Sequence, residues 1–524
     1  MTHRRTPGSS SPPLLIAQMD SPQDESTGDF YYRTYAPAVG MAHCRNVHAV
    51  SLTNIHRLKR KVMREADVLV MNNICDADLL PVIRERKARG KLTVYELSDD
   101  LDEIPPSNPI REFYAQTSNM LLIKRLAHYC DALQFSSPEL MRKYGYLNPN
   151  HAVFPNHILE IPPERRVRRG DTVAVGWGGS LGHLHDMEKI AQRLIEWIRT
   201  KENASLHLMC DEQIWRLFDK LPENREERHP TGSRRDYYSF VSQLDIGIAP
   251  LEDTPFNRSR SDVKFLEYAA HGTVPVVQAT GPYLLSVQHG KTGFLYSSPD
   301  ELISTLDLLV SDFPLRMKIS SAARKYVLRE RNQLKRGQDR TEFYRGLLAG
   351  LGASSESRAG NAETIFDELC RCEGARRSGR HLHLAPTRCE LLLRDALTGM
   401  SQYPSQCREM FMEAARIKPD LYMPYLFAAS LSEDPVAMLK TAIEKNPSSI
   451  VSMLHLGKAY SSRGMTMEAI ECCRSAAEIF PEYEQPYIEC ANYLNAIGLK
   501  QEGIALLQKA IALIPAVIKN PRPG

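Results

Sequence analysis

The first half of the chain alternates short runs of apolar and β-branched residues with segments of helical periodicity. The runs LLIAQ, HAVSL, DVLVMN, KLTVYEL, ALQFSS and AVFPN all lie before residue 160. Short apolar runs separated by helical segments are typical of a parallel sheet whose strands are joined by crossover helices. The pattern predicts an α/β domain at residues 14–165, preceded by a disordered Ser/Pro-rich tail at residues 1–13.

A second series of the same kind begins after the polar segment ERRVRRGD, residues 164–171. Its strand-like runs are TVAVGWGGS, SLHLMC, DIGIAPL, VPVVQA and TGFLYSS, and helical patterns cover residues 183–200, 262–271 and 314–328. This alternation predicts a second parallel sheet with crossover helices. We therefore predict two Rossmann-like domains, the second at residues 170–349.

The last third of the chain has the periodicity of a helical repeat. Residues 350–363, GLGASSESRAGNAE, are small and polar, which is the composition of a flexible linker. Beyond them, Pro447, Pro481 and Pro515 recur at intervals of 34 residues, the period of a tetratricopeptide (TPR) repeat. The sequence predicts an all-α domain of TPR-like repeats at residues 364–520, whose concave groove would receive a protein or peptide partner.

Composition narrows the class of protein. The 524 residues include 66 Lys and Arg against 63 Asp and Glu, a net charge of +3, so no nucleic-acid partner is expected. No stretch reaches the roughly 18 apolar residues that span a bilayer, and the N-terminal sequence lacks the apolar core of a signal peptide. We expect a cytoplasmic protein without a transmembrane segment, whose 11 cysteines are reduced.

The strongest candidate site lies between Asp245 and Tyr283, where a strand, a loop, a helix and a second strand follow one another. Ser261 or Asp262 can cap the helix, whose first N–H groups and dipole favour a phosphate beside the positive charge of Lys264. Glu267 lies one turn later on the same side, where its carboxylate can accept hydrogen bonds from ribose hydroxyls. The alternative is an i,i+3 ion pair on the surface.

A glycine-rich turn follows the first strand of the second domain. Gly178, Gly179 and Ser180 form part of this turn, and glycines allow backbone N–H groups to approach a phosphate closely. His183 follows, where it could steady the phosphates or the sugar. The alternatives are a turn that contains glycine for steric reasons and a histidine that caps a helix or lies on the surface.

Two loops of the first domain carry further candidates. Asp99 and Asp100 directly follow the strand KLTVYEL, where a carboxylate could orient an acceptor hydroxyl or act as a general base. Capping of the next helix is the alternative. Arg33 could hold a donor phosphate because its guanidinium fork suits a phosphate group, and a structural ion pair is equally consistent with the sequence.

Known metal and catalytic motifs are absent. The run of Cys370, Cys372, His381, His383 and Cys389 does not follow the usual spacing of zinc ligands, so no metal site is predicted. The chain also lacks the P-loop, the H-E-x-x-H and the G-x-S-x-G motifs. These absences argue against kinase and hydrolase activities.

The run FLEYAAHGTVPVV and the turn HGKTGFLY resemble the donor-site segment of the group 1 glycosyltransferases of the GT-B fold, over residues 174–326. The resemblance implies two facing Rossmann-like domains, the second holding a nucleotide sugar and the first holding the acceptor. Glu267 resembles the family's ribose-binding glutamate and Lys264 its phosphate-contacting base. Many members carry another glutamate eight positions before the first, where this chain has Ser259, so the resemblance assigns no sugar contact there.

The resemblance implies a hexosyltransferase-like enzyme that moves a sugar from a nucleotide-diphosphate sugar to an acceptor hydroxyl. Helix N–H groups and Lys264 can stabilise the departing diphosphate, so no divalent cation or other cofactor is expected. A protein or peptide recruited by the repeats is the first acceptor hypothesis, followed by glycan and lipid-linked acceptors. A catalytically silent nucleotide-binding scaffold and a GT-B epimerase or phosphorylase remain alternatives.

Overall fold

The computed structural model describes residues 12–23, 27–106, 108, 110–164, 172–222, 225–351 and 355–519. The tail predicted at residues 1–13 lies almost wholly outside this part of the chain. The strands are β1 Leu14–Asp20, β2 Val47–Thr53, β3 Val68–Asn72, β4 Leu92–Leu97, β5 Ala132–Phe135, β6 His151–Val153, β7 Val173–Gly178, β8 Ala204–Met209, β9 Glu226–His229, β10 Ile246–Ala249, β11 Val274–Gln278, β12 Phe294–Tyr296, β13 Ala375–Ser378 and β14 His381–Leu384.

The helices are α1 Ala36–Ala42, α2 Lys59–Glu65, α3 Leu79–Ala88, α4 Arg111–Tyr114, α5 Thr117–Tyr129, α6 Pro138–Tyr144, α7 Leu184–Thr200, α8 Glu212–Trp215, α9 Arg234–Val241, α10 Pro255–Ser259, α11 Val263–His271, α12 Gly281–Ser286, α13 Pro299–Ser311, α14 Phe313–Glu330, α15 Gln333–Gly350, α16 Ser355–Cys370, α17 Arg388–Gly399, α18 Pro404–Ile417, α19 Met423–Ala429, α20 Val436–Lys445, α21 Ile450–Ser461, α22 Thr466–Ile479, α23 Gln485–Ala496, α24 Lys500–Leu513 and α25 Ala516–Lys519. A π-helical segment, Phe30–Tyr35, precedes α1, and a 3₁₀ turn, Leu181–His183, precedes α7.

The first sheet has eight strands in the order β13-β14-β2-β1-β3-β4-β5-β6. Apart from the β13 and β14 hairpin, all neighbouring strands are parallel. Strands β1 to β4 are buried at every position, which explains why they form continuous apolar runs and do not alternate with polar residues. The parallel sheet predicted for the first half of the chain is confirmed.

The second sheet has six strands in the order β12-β11-β10-β7-β8-β9, and all of its pairings are parallel. The five predicted strands are present. The sequence missed the edge strand β9, whose residues EERH are polar and partly exposed. An edge strand has one face and one side open to water, so it does not need the apolar run by which the other strands were predicted.

The sequence predicts only helices after residue 363, and this part of the prediction is wrong. Strands β13 and β14 extend the first sheet, with His381 aligned in parallel with Ala49 of β2. Most of the predicted linker, residues 350–363, is also helical, because α16 begins at Ser355. Helix α16 packs an apolar stripe that includes Phe366 on the core of the first sheet, and this tertiary contact outweighs the linker-like composition.

Helix α15 crosses back from the second α/β unit to the first. It packs on α1, where a Cβ on Gly337 would lie 2.1 Å from the backbone oxygen of Gly40. Tyr344 and Leu348 of the same helix are buried in the core of the first sheet. The domain limits 14–165, 170–349 and 364–520 stay sequence predictions. In the fold, α15 and the β13 and β14 hairpin pack on or join the first sheet, although the predicted limits assign them to the second and third domains.

Helices α17 to α24 pack each against the next along the chain. This helical array rests on the first α/β unit. Asp78, at the start of α3, accepts hydrogen bonds from Ser449 Oγ (2.8 Å) and Val451 N (3.1 Å) at the start of α21. Arg125 of α5 is fully buried, pairs with Glu484 and donates to the backbone oxygen of Glu482 (3.0 Å). Among all the described helices, none is long and apolar enough to cross a membrane.

Candidate active site

A cavity of about 510 Å³ lies where the carboxyl ends of the two sheets face each other. In parallel α/β sheets, ligands bind beyond the carboxyl ends of the strands. Residues that follow strands of the first sheet line one wall: Ser98, Asp99, Ser136 and Asn156. Residues at or just beyond the carboxyl ends of second-sheet strands line the other: Gly179, Ser180, Met209 and Leu251.

Both predicted residues of α11 lie in this cavity. The Glu267 side chain is 6% exposed, and its Oε2 lies 3.9 Å from Lys264 Nζ. Lys264 Nζ donates a 2.9 Å hydrogen bond to the hydroxyl of Tyr237. Burial raises the pKa of Glu267 and lowers the pKa of Lys264, while each charge favours ionisation of the other. The two residues form a partly desolvated pair inside the cavity, so the surface ion-pair alternative is wrong.

The start of α11 differs from the prediction. Asp262 occupies the N-cap position, but its side chain accepts no capping bond from the helix. Its two oxygens instead accept hydrogen bonds from Arg331 at 2.7 and 2.8 Å. The bidentate guanidinium contact is stronger than a cap, and it turns the carboxylate away from the cavity. The predicted capping role of Asp262 is wrong, whereas Ser261 does line the cavity.

The first N–H groups of α11 have no carbonyl partner within the helix. Leu266 is the first residue of the helix whose N–H bonds to the carbonyl four residues earlier, that of Asp262 (3.2 Å). Because the Asp262 carboxylate is held elsewhere, the N–H groups before Leu266 can bind an anion. The geometry is therefore compatible with the predicted phosphate site, which stays a prediction.

Arg260 is a cavity residue that the sequence analysis missed. It lies one residue before Ser261, lines the cavity, and has its guanidinium 5.5 Å from the ring centroid of Phe256. The other arginine of the segment NRSRSD, Arg258, pairs on the surface with Asp253. The spacing of the two arginines could not show which one faces the cavity.

The glycines of the turn after β7 serve packing. A Cβ on Gly178 would lie 2.9 Å from the Tyr237 ring, and a Cβ on Gly179 would lie 2.5 Å from the Trp177 ring. The N–H of Gly179 donates to the oxygen of Met209 (3.0 Å), so it is not available to a phosphate. These contacts favour the steric alternative for both glycines, and a phosphate contact through Gly178 stays a prediction. Ser180 and Gly179 still line the cavity.

His183 lies in the cavity wall and is oriented by a carboxylate. Its Nδ1 is 2.8 Å from Asp186 Oδ2, while Asp186 Oδ1 accepts from the backbone N–H of Glu252 (2.8 Å). Burial, with the nearby charge of Arg260, lowers the pKa of His183 to about 4 despite this contact. At neutral pH the imidazole is therefore uncharged, donates its Nδ1–H to Asp186, and keeps Nε2 as an acceptor.

The two adjacent aspartates have different surroundings. Asp99 lines the cavity, and burial together with the charge of Asp29 raises its pKa to about 7. Asp100 is 3% exposed and accepts hydrogen bonds from Lys143 Nζ and from the Tyr144 hydroxyl, each at 2.7 Å. Asp100 does not line the cavity, so the structure does not bring this predicted catalytic residue to the site.

Arg33 lines the cavity but is held by protein groups. It pairs with Glu96 and donates to the oxygens of Phe154 (2.9 Å) and Asn156 (2.6 Å). The structural ion pair, one of the two alternatives, thus describes Arg33. The neighbouring Asp29 was not predicted, although it lines the cavity and accepts hydrogen bonds from Gln23, Asn72 and Ser98.

Three tyrosines surround Glu267, and the sequence analysis missed all three. The hydroxyl of Tyr32 donates to Glu267 Oε1 (2.9 Å) and lies 3.1 Å from the Tyr238 hydroxyl. Tyr237, the third, contacts Lys264. Tyr32 comes from the π-helical segment and the other two from α9, so no local spacing connects them. A π-helical segment is frequently found at a functional site, but it has no reliable sequence signal.

Two other segments that the sequence singled out lie outside the cavity. His381 Nε2 and His383 Nδ1 each lie 3.0 Å from the Ser51 hydroxyl, and the described cysteines of that run do not join them in a metal-ligand cluster. Ser259 is buried, and its hydroxyl donates to the carbonyl of Phe256 (2.8 Å). Position 259 therefore supplies no side chain to the cavity.

Neither family models nor curated proteins match the chain. Several solved structures are similar in fold. Anabaena HepE in complex with UDP-glucose is 15% identical, with 64% of this chain and 100% of that chain covered and a TM-score of 0.47. A glycosyltransferase from Rickettsia africae is 12% identical, with 64% and 99% covered and a TM-score of 0.46. Staphylococcus aureus TarM is 10% identical, with 56% and 57% covered and a TM-score of 0.42.

Because these sequence identities and TM-scores are low, the function has to be inferred from the residues that line the cavity. One wall offers cations and helix N–H groups that can bind a polyanion, and Glu267 beside them can accept hydrogen bonds from hydroxyls. The opposite wall offers Asp99, whose raised pKa suits proton transfer near neutral pH. The chain is a mixed α/β protein with two mainly parallel sheets and one cavity wall from each.

Proposed function

We propose that the protein is a nucleotide-sugar-dependent glycosyltransferase with the GT-B arrangement of two Rossmann-like units. The observation that carries the proposal is the position of Lys264, Glu267 and the amino end of α11 in one cavity, with Asp99 on the opposite wall. The first group suits a nucleoside diphosphate and its ribose. Asp99 then faces the space in which an acceptor hydroxyl would approach the sugar.

In the proposed reaction, the bond between the anomeric carbon and the diphosphate oxygen breaks. A new bond forms between that carbon and the acceptor oxygen, and the acceptor proton passes to Asp99. Negative charge develops on the departing diphosphate, where Lys264, Arg260 and the first N–H groups of α11 stabilise it. His183, held by Asp186, accepts a hydrogen bond from the sugar or the acceptor through Nε2.

We propose that this chemistry needs no divalent cation, because fixed positive groups already face the departing charge. Glu267 is the proposed ribose contact and Ser180 lines the same wall. A hexose is the proposed transferred sugar. All 11 cysteines are free thiols, as is usual in a reducing compartment, and this supports the cytoplasm as the place of action.

The helical array, interpreted as TPR-like repeats, is proposed to bring the acceptor to the cavity. A second cavity of about 450 Å³ lies between this array and the first α/β unit. On the helical side, each of two helices lines the cavity with one of its faces. The lining residues are Leu454, His455 and Lys458 of α21 and Gln485 and Glu489 of α23. Apolar, amide and charged groups in one groove suit an extended protein or peptide acceptor better than a lipid chain.

The donor site is tested by calorimetric titration with UDP, GDP and ADP and with their glucose conjugates. We expect one nucleotide to bind, with affinity reduced about 10- to 100-fold in Lys264→Ala and in Glu267→Gln, as for the loss of a hydrogen bond to a charged group. Lys291→Ala, at an exposed lysine of the same unit, is the matched control. If no nucleotide binds, the proposal fails.

Acceptor use is tested by incubating the protein with the bound donor and a peptide library, followed by mass analysis. We expect a sugar adduct whose yield falls in His455→Ala while hydrolysis of the donor in the absence of acceptor is unchanged. Met467→Ala, at a residue that is 61% exposed and outside the groove, is the control. Isomerised nucleotide sugar without an adduct would instead identify an epimerase.

A further inference from the structure

We propose that His207, Glu227 and His229 form a site for one divalent ion of the zinc class, which fastens the edge strand of the second sheet to its neighbour. In β8 and β9, His207 is the parallel partner of Glu227, and Met209 is the partner of His229. Side chains alternate along a strand. Glu227 and His229, two residues apart, therefore project from one face, together with His207 opposite.

Two imidazole nitrogens converge on a single carboxylate. His207 Nδ1 lies 3.1 Å from Glu227 Oε2, and His229 Nε2 lies 3.3 Å from Glu227 Oε1. Both nitrogens are buried, and neither has a hydrogen-bond partner among the described residues. His207 as a whole is only 8% exposed. Burying unpaired polar nitrogens is costly, and a shared cation would satisfy both of them and the carboxylate.

The second nitrogen of His207 is already held in the arrangement that a metal ligand needs. Its Nε2 lies 2.9 Å from the Ser205 hydroxyl. When Nε2–H donates to this oxygen, Nδ1 keeps its lone pair and faces Glu227. Histidines that bind metals usually donate the other ring N–H to such a partner, which fixes the tautomer.

The donor set and its dimensions indicate the ion. Ligand atoms of the three residues all lie within 4.8 Å of one another. A tetrahedral ion with ligands at about 2.0–2.2 Å holds neighbouring ligand atoms roughly 3.3–3.6 Å apart, close to the two histidine-to-carboxylate distances of 3.1 and 3.3 Å. Two imidazoles and one carboxylate suit zinc, whereas calcium and magnesium prefer oxygen ligands. The fourth position of a tetrahedral ion remains for water.

The site goes beyond the proposed transfer reaction because it lies outside the donor cavity. Strand β9 ends at His229, and the residues that follow, Thr231 to Arg234, line that cavity. The His229 ring also contacts Phe240 of α9, at 4.9 Å between ring centroids. An ion that holds β9 would stabilise this wall without contacting the reacting atoms.

The test uses full-length protein that has been treated with a chelator and then titrated with Zn²⁺ alone. We expect one tightly bound equivalent that raises the melting temperature. In His207→Ala the affinity should fall at least tenfold, and Glu227→Gln, at an exposed position that should not disturb folding, should show the same loss. His43→Ala, at an exposed histidine, should bind as the unmodified protein does.

Co²⁺ absorption distinguishes this site from the cysteines. A cobalt absorption spectrum that has no thiolate-to-cobalt band, and that disappears in Glu227→Gln, supports the histidine and glutamate ligands. A thiolate band, an unchanged affinity in His207→Ala and Glu227→Gln, or no bound equivalent would overturn the proposal. Because no nucleotide is present, these outcomes are independent of whether the protein transfers a sugar.

Discussion

The hydroxyl of Tyr32 donates a 2.9 Å hydrogen bond to Oε1 of Glu267, and this bond joins the two α/β units across the cavity. Tyr32 follows the first strand of the first sheet, whereas Glu267 belongs to α11 of the second unit. Tyr31 and Tyr32 are packed into an apolar cluster formed mainly by the second unit. The carboxylate proposed to bind ribose is therefore positioned by a residue of the opposite unit.

Tyr32→Phe removes this donor and keeps the ring. We expect a lower melting temperature, because leaving a buried acceptor unsatisfied costs about 1–3 kcal/mol, and weaker nucleotide binding because Glu267 loses a group that favours its charged form. Differential scanning fluorimetry with and without nucleotide measures both effects. Tyr403→Phe, at a tyrosine that is 61% exposed, is the control. An unchanged melting temperature in Tyr32→Phe would show that the bond does not join the units.

Ionisation of Asp99 should determine the acidic limb of the pH profile of kcat/KM. Its pKa is raised to about 7 by burial and by the charge of Asp29, so the ionised base predominates only above that pH. We expect kcat/KM to rise with pH through about 7 and then level off, and Asp99→Asn to be inactive. In Asp29→Asn the limb should move to lower pH because a like charge has been removed. A limb that does not move would mean that another group titrates.

The fold was largely predictable because most strands are buried on both faces and form apolar runs. β9 escaped prediction because its residues EERH lie at an edge. β14 escaped because its partner β2 lies more than 300 residues earlier in the chain. Neither an edge position nor a distant partner leaves a local pattern.

The candidate site was predictable only where its geometry is local. Lys264 and Glu267 share a helix face because they are three residues apart, and both lie in the cavity. Asp262 was misjudged because its partner Arg331 lies 69 residues away. Arg260 and Tyr32 were missed because nothing in their immediate neighbours shows which way their side chains point.

Asp78 should make the docking of the helical array depend on pH. Its folded-state pKa is raised from 3.8 to about 7, first by burial and then by the charge of Asp76. A raised pKa means that this carboxyl contributes stability that is fully present below pH 3.8 and is lost as pH rises through about 7. We expect the melting temperature to fall from pH 5 to pH 8, and to fall less in Asp78→Asn.

The matched control is Asp395→Asn, at an aspartate whose side chain is about half exposed. It should keep the full pH dependence of the unmodified protein. Asp78→Ala, which removes the acceptor of Ser449 Oγ and Val451 N, should lower the melting temperature at every pH. If Asp78→Asn melts with the same pH dependence as the unmodified chain, other buried carboxyls cause the effect.

Alanine substitutions at Gly178 and Gly182 test the packing role of the turn after β7. An alanine Cβ at position 178 would lie 2.9 Å from the Tyr237 ring and 3.1 Å from the Phe240 ring. Overpacking of this kind costs about 1–3 kcal/mol, and displacing Tyr237 also disturbs its hydrogen bond with Lys264. At position 182 the nearest neighbour of a Cβ would be Ser180 Oγ at 3.9 Å, so the added methyl group has room.

We therefore expect Gly178→Ala to lower both the melting temperature and the nucleotide affinity, and Gly182→Ala to change neither. Thermal melts and nucleotide titrations of the two variants measure the difference. Tyr237→Phe, which keeps the ring but removes the hydroxyl near Lys264, should reproduce the loss of affinity with a smaller loss of stability. Equal nucleotide affinity in Gly178→Ala and the unmodified protein would contradict the link from this glycine through Tyr237 to Lys264.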